Sequence, residues 1–182
     1  MRRLFMASSF MLALTGSTFA QQPLSDAEYM KQALAAAPEA IAKNAAVVRP
    51  EQGHEMKTLR QGTNGFTCMI MGTDRMCADA HALEFVHAMM AQKPPPANQL
   101  GIAYMLGGDT GPQGEVGGAS NTDPSATVKK ADNHWVVTGP HIMLFGPPAK
   151  TLGYPELADP DPTRPYMMWI GTPYEHAMVP VK

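Results

Sequence analysis

Apolar and polar positions change period several times along the chain, and each change marks an element. The segment SDAEYMKQALAAAPEAIAKNAAVV opens with Ser25 and Glu28 in capping-box spacing and continues through strong helix formers. Pro38 lacks the N–H that a helix interior requires. The pattern therefore predicts one helix to about Ala36 and a second with Pro38 in its first turn. Tyr29, Leu34, Ile41, Val47 and Val48 form the apolar stripe of this helical segment. Alternation then takes over: a polar strand near 55–61, a turn containing Gly62, Asn64 and Gly65, and an apolar strand from Phe66 to Met71 predict a β-hairpin. Asp79 stands where it can cap a following helix, AHALEFVHAMMAQ, which the proline run of KPPPAN terminates.

The second half reads differently. LGIAYMLGG is a short apolar strand, and the long stretch after it, from Asp109 to His134, has no regular period. Loops of that length inside a compact domain are usually functional or mobile. Four short strands follow in WVVTG, HIMLFG, PYMMWIG and EHAMVPV, separated by Gly or Pro turns and a proline-rich, acidic connector over 154–165. Helices, a hairpin, one further helix and then strands, without repeating strand–helix units, predict an α+β fold. It would be a single domain with a mainly antiparallel sheet, an N-terminal helical segment and one further helix.

The ends and the charge place this domain. Residues 1–20 carry Arg2 and Arg3, an apolar run from Leu4 to Leu14 and small residues Thr18 and Ala20 before Gln21. That is the layout of a cleaved signal peptide, and its apolar run is too short to anchor the chain in a bilayer. The expected mature chain is 21–182, without a membrane span, in the periplasm or secreted from a bacterium. The leader's length and apolar core favour export of an unfolded chain over the twin-arginine route that RRLF brushes against. Losing Arg2 and Arg3 moves the formal charge from −2 to about −4, with no charge runs, so neither a nucleic acid nor an anionic membrane is an expected partner. Cys68 and Cys77 are the only cysteines, and in an oxidising compartment they are expected to form one disulfide.

Chemistry concentrates in the late strands. His141-x-Met143 and His176-x-Met178 both lie in predicted strands, where residues two apart share a face. If the strands pair in register, two imidazoles and two thioethers form one patch. Imidazole accepts many transition metals and thioether selects for Cu(I), so the patch would suit copper. The pattern recurs in the helix as His87-x-Met89, where residues two apart do not face one another. Met69, Met71 and Met76 add soft sulfur around the cysteines. Equally, methionine is a flexible core filler, and the same four side chains would serve as core with hydrogen-bonded imidazoles.

The aperiodic loop holds Asp109, Thr110, Asn121, Thr122 and Asp123 among glycines, groups that could meet a polar ligand or simply form turns. Tyr104, Asp109, Asn121, Asp123 and Trp169 are the expected ligand-binding residues. Asp109 with His141 and His176 would make a two-histidine, one-carboxylate metal set. Alternatively, His141 or His176 with Asp109 or Asp123 would serve as acid and base in a small hydrolase, lyase or isomerase. No Gly-x-Ser-x-Gly or His-Glu-x-x-His pattern occurs. Three classes stay open: an exported protein binding a metal ion or small molecule, an acid–base enzyme, and a structural or interaction protein without metal.

With GTNGFTC (62–68), AYMLGGDT (103–110), SNTDP (120–124), TGPHIM (138–143) and PYMMWIGTPYEHAMVPV (165–181), the chain resembles a family of small exported bacterial proteins of uncharacterised function. The insert GPQGEV at 111–116 lengthens the loop between the GDT and SNTDP stretches relative to that family. The resemblance implies a periplasmic or secreted bacterial protein and no particular reaction.

Overall fold

A computed structural model describes residues 24–51, 55–109 and 117–181. The predicted leader, the predicted cut before Gln21, Thr110 and the 111–116 insert lie outside these residues. The elements are α1 (Asp26–Leu34), α2 (Glu39–Ala42), β1 (Ala46–Pro50), β2 (Met56–Arg60), β3 (Phe66–Met71), β4 (Asp74–Asp79), α3 (Ala80–Met90), β5 (Gly101–Met105), β6 (Ala119–Ser120), β7 (Trp135–Val136), β8 (His141–Phe145), β9 (Tyr166–Met168) and β10 (His176–Pro180). A 3-10 segment covers Pro147–Leu152. Eight strands form one sheet in the order β2-β1-β3-β4-β5-β8-β10-β9, antiparallel except for the β1/β3 pair, while β6 and β7 make a separate ribbon. The fold is α+β, as the order of elements predicts. Among the described residues no helix is long and apolar enough to cross a membrane.

Local chemistry explains the helix ends. Ser25 Oγ accepts a hydrogen bond from the Glu28 amide at 3.2 Å, which satisfies one of the free donors of the first turn of α1. Asp79 caps α3 and also ties it to the sheet: one carboxylate oxygen accepts from Ala82 N–H at 2.8 Å and the other from Ile102 N–H at 3.1 Å. Pro38 is the residue before α2 and not part of its first turn.

Two predicted elements are corrected. Val47 and Val48 belong to strand β1 and not to a helical stripe. The run Ala-Val-Val-Arg-Pro ends in a proline and carries β-branched residues, and it finds strand partners on both sides, which decides against helix. As a result β2 and β3 do not form a hairpin, because β1 lies between them in the sheet. The hairpin is instead β3/β4, and Cys68 stands directly opposite Cys77 in its register. Their disulfide therefore joins the two strands of this hairpin.

The sheet buries both faces. On one, Cys68, Cys77, Val47 and Ile70 pack under α1 with Tyr29 and Ala33. Tyr29 also binds the sheet edge-on, its hydroxyl accepting from Ile70 N–H at 2.8 Å and donating toward Val48 O at 3.0 Å. On the other face, Met69, Met76, Ala78, Ala103, Met105, Met143, Phe145 and Met178 pack against Ala82, Phe85 and Val86 of α3. Closing so short a loop by the disulfide contributes about 2–3 kcal/mol in the chain-entropy description. Replacing both cysteines by alanine is expected to lower the unfolding free energy by that amount in urea titration; a loss below about 1 kcal/mol would show that the reduced hairpin holds its register unaided.

Candidate functional site

The register of the late strands answers whether the two His-x-Met triplets meet. Directly paired residues in an antiparallel ladder project to the same face. Met143 pairs with Met178, Met105 pairs with His141, and His176 pairs with Met168, so both triplets lie on the α3 face. The two thioethers are cross-strand neighbours. The histidines are not: His141 pairs with Pro180, whereas His176 lies level with Phe145, whose ring centroid is 4.7 Å from the imidazole. Four residues at ~3.3 Å each place the backbones of the two histidines about 13 Å apart along the strand direction, one at either end of the methionine pair.

A cavity of about 170 Å³ runs along this face. Its wall includes seven methionines, Met71, Met76, Met89, Met105, Met143, Met168 and Met178. Both histidines line it, as do Asp74, Asp109, Phe145 and Trp169. Strands supply the floor, α3 contributes Val86 and Met89, and Gly118 and Ala119 of the long loop close one side.

Both imidazoles are held in one tautomer. His141 is fully buried, and its Nδ1 lies 2.7 Å from the Gly139 carbonyl oxygen. A carbonyl can only accept, so Nδ1 carries the proton and Nε2 keeps its lone pair. That Nε2 is buried without a hydrogen-bond partner among the described residues. His176 repeats the arrangement with Nδ1 3.1 Å from Tyr174 O. Burial pushes both imidazoles below their ordinary pKa, His176 to about 4, so both are neutral at pH 7.

The ends of the cavity differ in chemistry. Beside His141 lie Asp74 and Asp109. Burial raises the Asp109 carboxyl to about 6, against the pull of the Thr138 N–H that it accepts at 2.5 Å. Thr138 Oγ1 in turn shares a hydrogen bond of 2.7 Å with Tyr166 OH. Asp74 is also raised, first by burial and then by the Asp109 charge, while His141 pulls it down. Around His176 the surroundings are aromatic: Phe145, Trp169 at 4.8 Å edge-on, and Phe85 at 6.2 Å.

Of the residues expected at the site, His141, Met143, His176, Met178, Asp109 and Trp169 line the cavity; Tyr104, Asn121 and Asp123 are not among its lining residues. Tyr104 pairs with Cys77 and so points to the α1 face, where its ring lies 5.8 Å from Phe66. Asn121 is fully buried and spends its Nδ2 on the Leu157 carbonyl at 2.6 Å. Asp123 is exposed and closes a turn by accepting from the Ser125 amide and hydroxyl. The two-histidine, one-carboxylate set is corrected as well. Among the described residues no three His, Cys, Asp or Glu side chains gather where they could hold a metal ion, because the ladder sends the imidazoles to opposite ends. Asp74, Met105 and Met168 were absent from the sequence expectation; their one signal was cross-strand pairing, which needs the register.

No family model, curated protein or solved structure matches the chain.

Proposed function

We propose that the protein is an exported binding protein that takes a soft transition-metal ion, Cu(I), into the methionine-lined cavity. The observation that carries this reading is the His141 imidazole: its Nδ1 proton is committed to a backbone carbonyl and its buried Nε2 lone pair has no partner, among thioethers. Metal-bound histidines are characteristically oriented in this way, by a hydrogen bond from the other ring nitrogen. With no cluster of three His, Cys, Asp or Glu side chains among the described residues, an ion held here would draw on thioether sulfur, and thioether selects for Cu(I) over Zn(II) and harder ions. Met143 and Met178 would supply the paired sulfurs and His141 the nitrogen.

Anaerobic titration of the purified protein with Cu(I), against a competing chelator, tests the proposal. One tightly held equivalent is expected. His141→Ala and Met143→Leu plus Met178→Leu should each weaken it by at least about 100-fold, since even the loss of an outer hydrogen bond typically costs 10–100-fold. No retained Cu(I), or unchanged affinity in His141→Ala plus His176→Ala, would sink it.

A second reading rests on a different observation, the Asp109 carboxyl raised to about 6 at the wall shared with Asp74 and His141. A carboxyl titrating near neutrality beside a neutral imidazole is equipped for general acid–base work. Asp109→Asn separates the two readings: it would abolish turnover of an acid–base substrate while leaving Cu(I) affinity within about twofold, because a neutral amide keeps the shape of the wall.

A further inference from the structure

Trp169 occupies a backbone conformation that a bulky residue resists, with φ at +57°. The turn around it is tied down on several sides. Thr172 donates to the Trp169 carbonyl from its amide at 3.1 Å and from its hydroxyl at 2.7 Å, and Ile170 N–H donates to Asn121 O at 3.2 Å. Strain retained in this way is characteristic of positions where the placement of one side chain matters. Here it sets the indole in the cavity wall, edge-on to His176.

The indole nitrogen is the second orphan of the cavity wall. Trp169 Nε1 is buried and has no acceptor among the described residues. It can only donate, so it is no metal ligand, and buried donors of this kind normally find an acceptor. The space around it defines what that acceptor can belong to. Phe145 and His176 line this end of the cavity with rings, the His176 ring lying edge-on to the indole, and Met168 and Met178 supply thioethers. No lysine or arginine is among the lining residues, so none of them would compensate a buried anion, and burying an unpaired charge is prohibitive. The whole cavity, both ends together, measures about 170 Å³, far more than one ion fills. It is close to the ~150 Å³ apolar cavity that holds a benzene molecule in an engineered protein.

We propose that the His176 end of the cavity binds a small uncharged aromatic molecule carrying one hydrogen-bond acceptor, which receives the Trp169 Nε1 proton. The ring stacks against the Phe145 and His176 side chains in offset and edge-on contacts of the kind aromatic pairs prefer. Recognition of this ligand uses Trp169, which the Cu(I) reading does not, and it holds for the metal-free protein.

The test uses metal-free, ¹⁵N-labelled full-length mature protein titrated with benzonitrile, toluene and benzoate. Benzonitrile offers a ring and an acceptor, toluene the ring alone, and benzoate the ring with a charge. Benzonitrile is expected to move the Trp169 indole N–H resonance downfield and to bind roughly five- to tenfold more tightly than toluene, the usual worth of one hydrogen bond. Benzoate should bind at least about 100-fold more weakly. Trp169→Phe should keep toluene binding and erase the advantage of benzonitrile. If that variant does not fold, the indole resonance of the unsubstituted protein decides alone. Equal affinity for benzonitrile and toluene, a stationary indole resonance, or preferred binding of benzoate would each overturn the proposal. Cu(I) binding without benzonitrile binding removes this inference only, and the converse removes the metal reading only.

Discussion

Asp109→Asn is expected to stabilise the protein at pH 7.5 by on the order of 3 kcal/mol and to turn a nearly level stability profile between pH 6 and 4 into a falling one. Two buried groups with opposite signs underlie this. Asp109 has its pKa raised from 3.8 to about 6, chiefly by burial. Between those values the unfolded chain has released the proton that the folded chain keeps, so this contribution is fully present below pH 4 and lost as pH rises through 6. His176 has its pKa lowered from 6.5 to about 4, again by burial. Its contribution is fully present above pH 6.5 and lost as pH falls through 4, because the unfolded imidazole takes up a proton that the folded one refuses. Each shift corresponds to roughly 3 kcal/mol, so in the shared window they nearly cancel.

Asparagine keeps the shape and an acceptor for Thr138 N–H but cannot ionise, so it removes one side of the balance. It also removes the Asp109 charge that helps to raise Asp74. His141, lowered by burial, then acts with His176, and stability falls on acidification. The exposed carboxylates Asp26, Asp123 and Asp161 are lowered, so their contributions fade mainly at pH below about 4, outside the window. Urea titrations of both proteins at pH 4.5, 6 and 7.5 check this. A variant no more stable than the parent at pH 7.5, or one that keeps the level profile, would show that Asp109 is not held in a poorly solvated position.

Gly101→Ala is the second large effect, a destabilisation at or above the upper end of the ~1–3 kcal/mol that overpacking usually costs. Gly101 begins β5 opposite Phe145, and a Cβ there would stand 2.2 Å from the Ala82 nitrogen, 2.5 Å from its Cα and 2.7 Å from the His81 carbonyl carbon. These are backbone atoms, so no rotamer change relieves the overlap. The first turn of α3 would have to lift, although Asp79 pins that turn to Ile102 of β5. Lifting α3 carries Phe85 and Val86 out of the core and Met89 from the cavity wall. The expected readout is a lowered thermal midpoint together with weakened ligand binding. Near-parental stability would show that the helix does not dock on glycine.

How legible the fold was in the sequence differed by scale. Residues that speak through their immediate neighbours were readable: Ser25 and Asp79 as helix caps, and HIMLF and HAMVP as strands with His and Met on one face. The short run at 46–50 was not, because its strand character comes from pairing with β2 and β3 and not from its own periodicity. Its misreading moved the hairpin.

The sequence by itself determined the α+β class, the pairing of Cys68 with Cys77, and the alternation that puts each His beside its Met. Alternation is a property of one strand, so it needs no partner to act. Only the tertiary structure decided that β8 and β10 are neighbours running in opposite directions, which joins the methionines at the centre and sends His141 and His176 to opposite ends. It decided too that Asp74 and Met105, distant in sequence, complete the wall beside His141, and that Tyr104 turns to the opposite face. Register and strand order arise from burying whole faces against α1 and α3 at once, a collective constraint that no local stretch of residues contains.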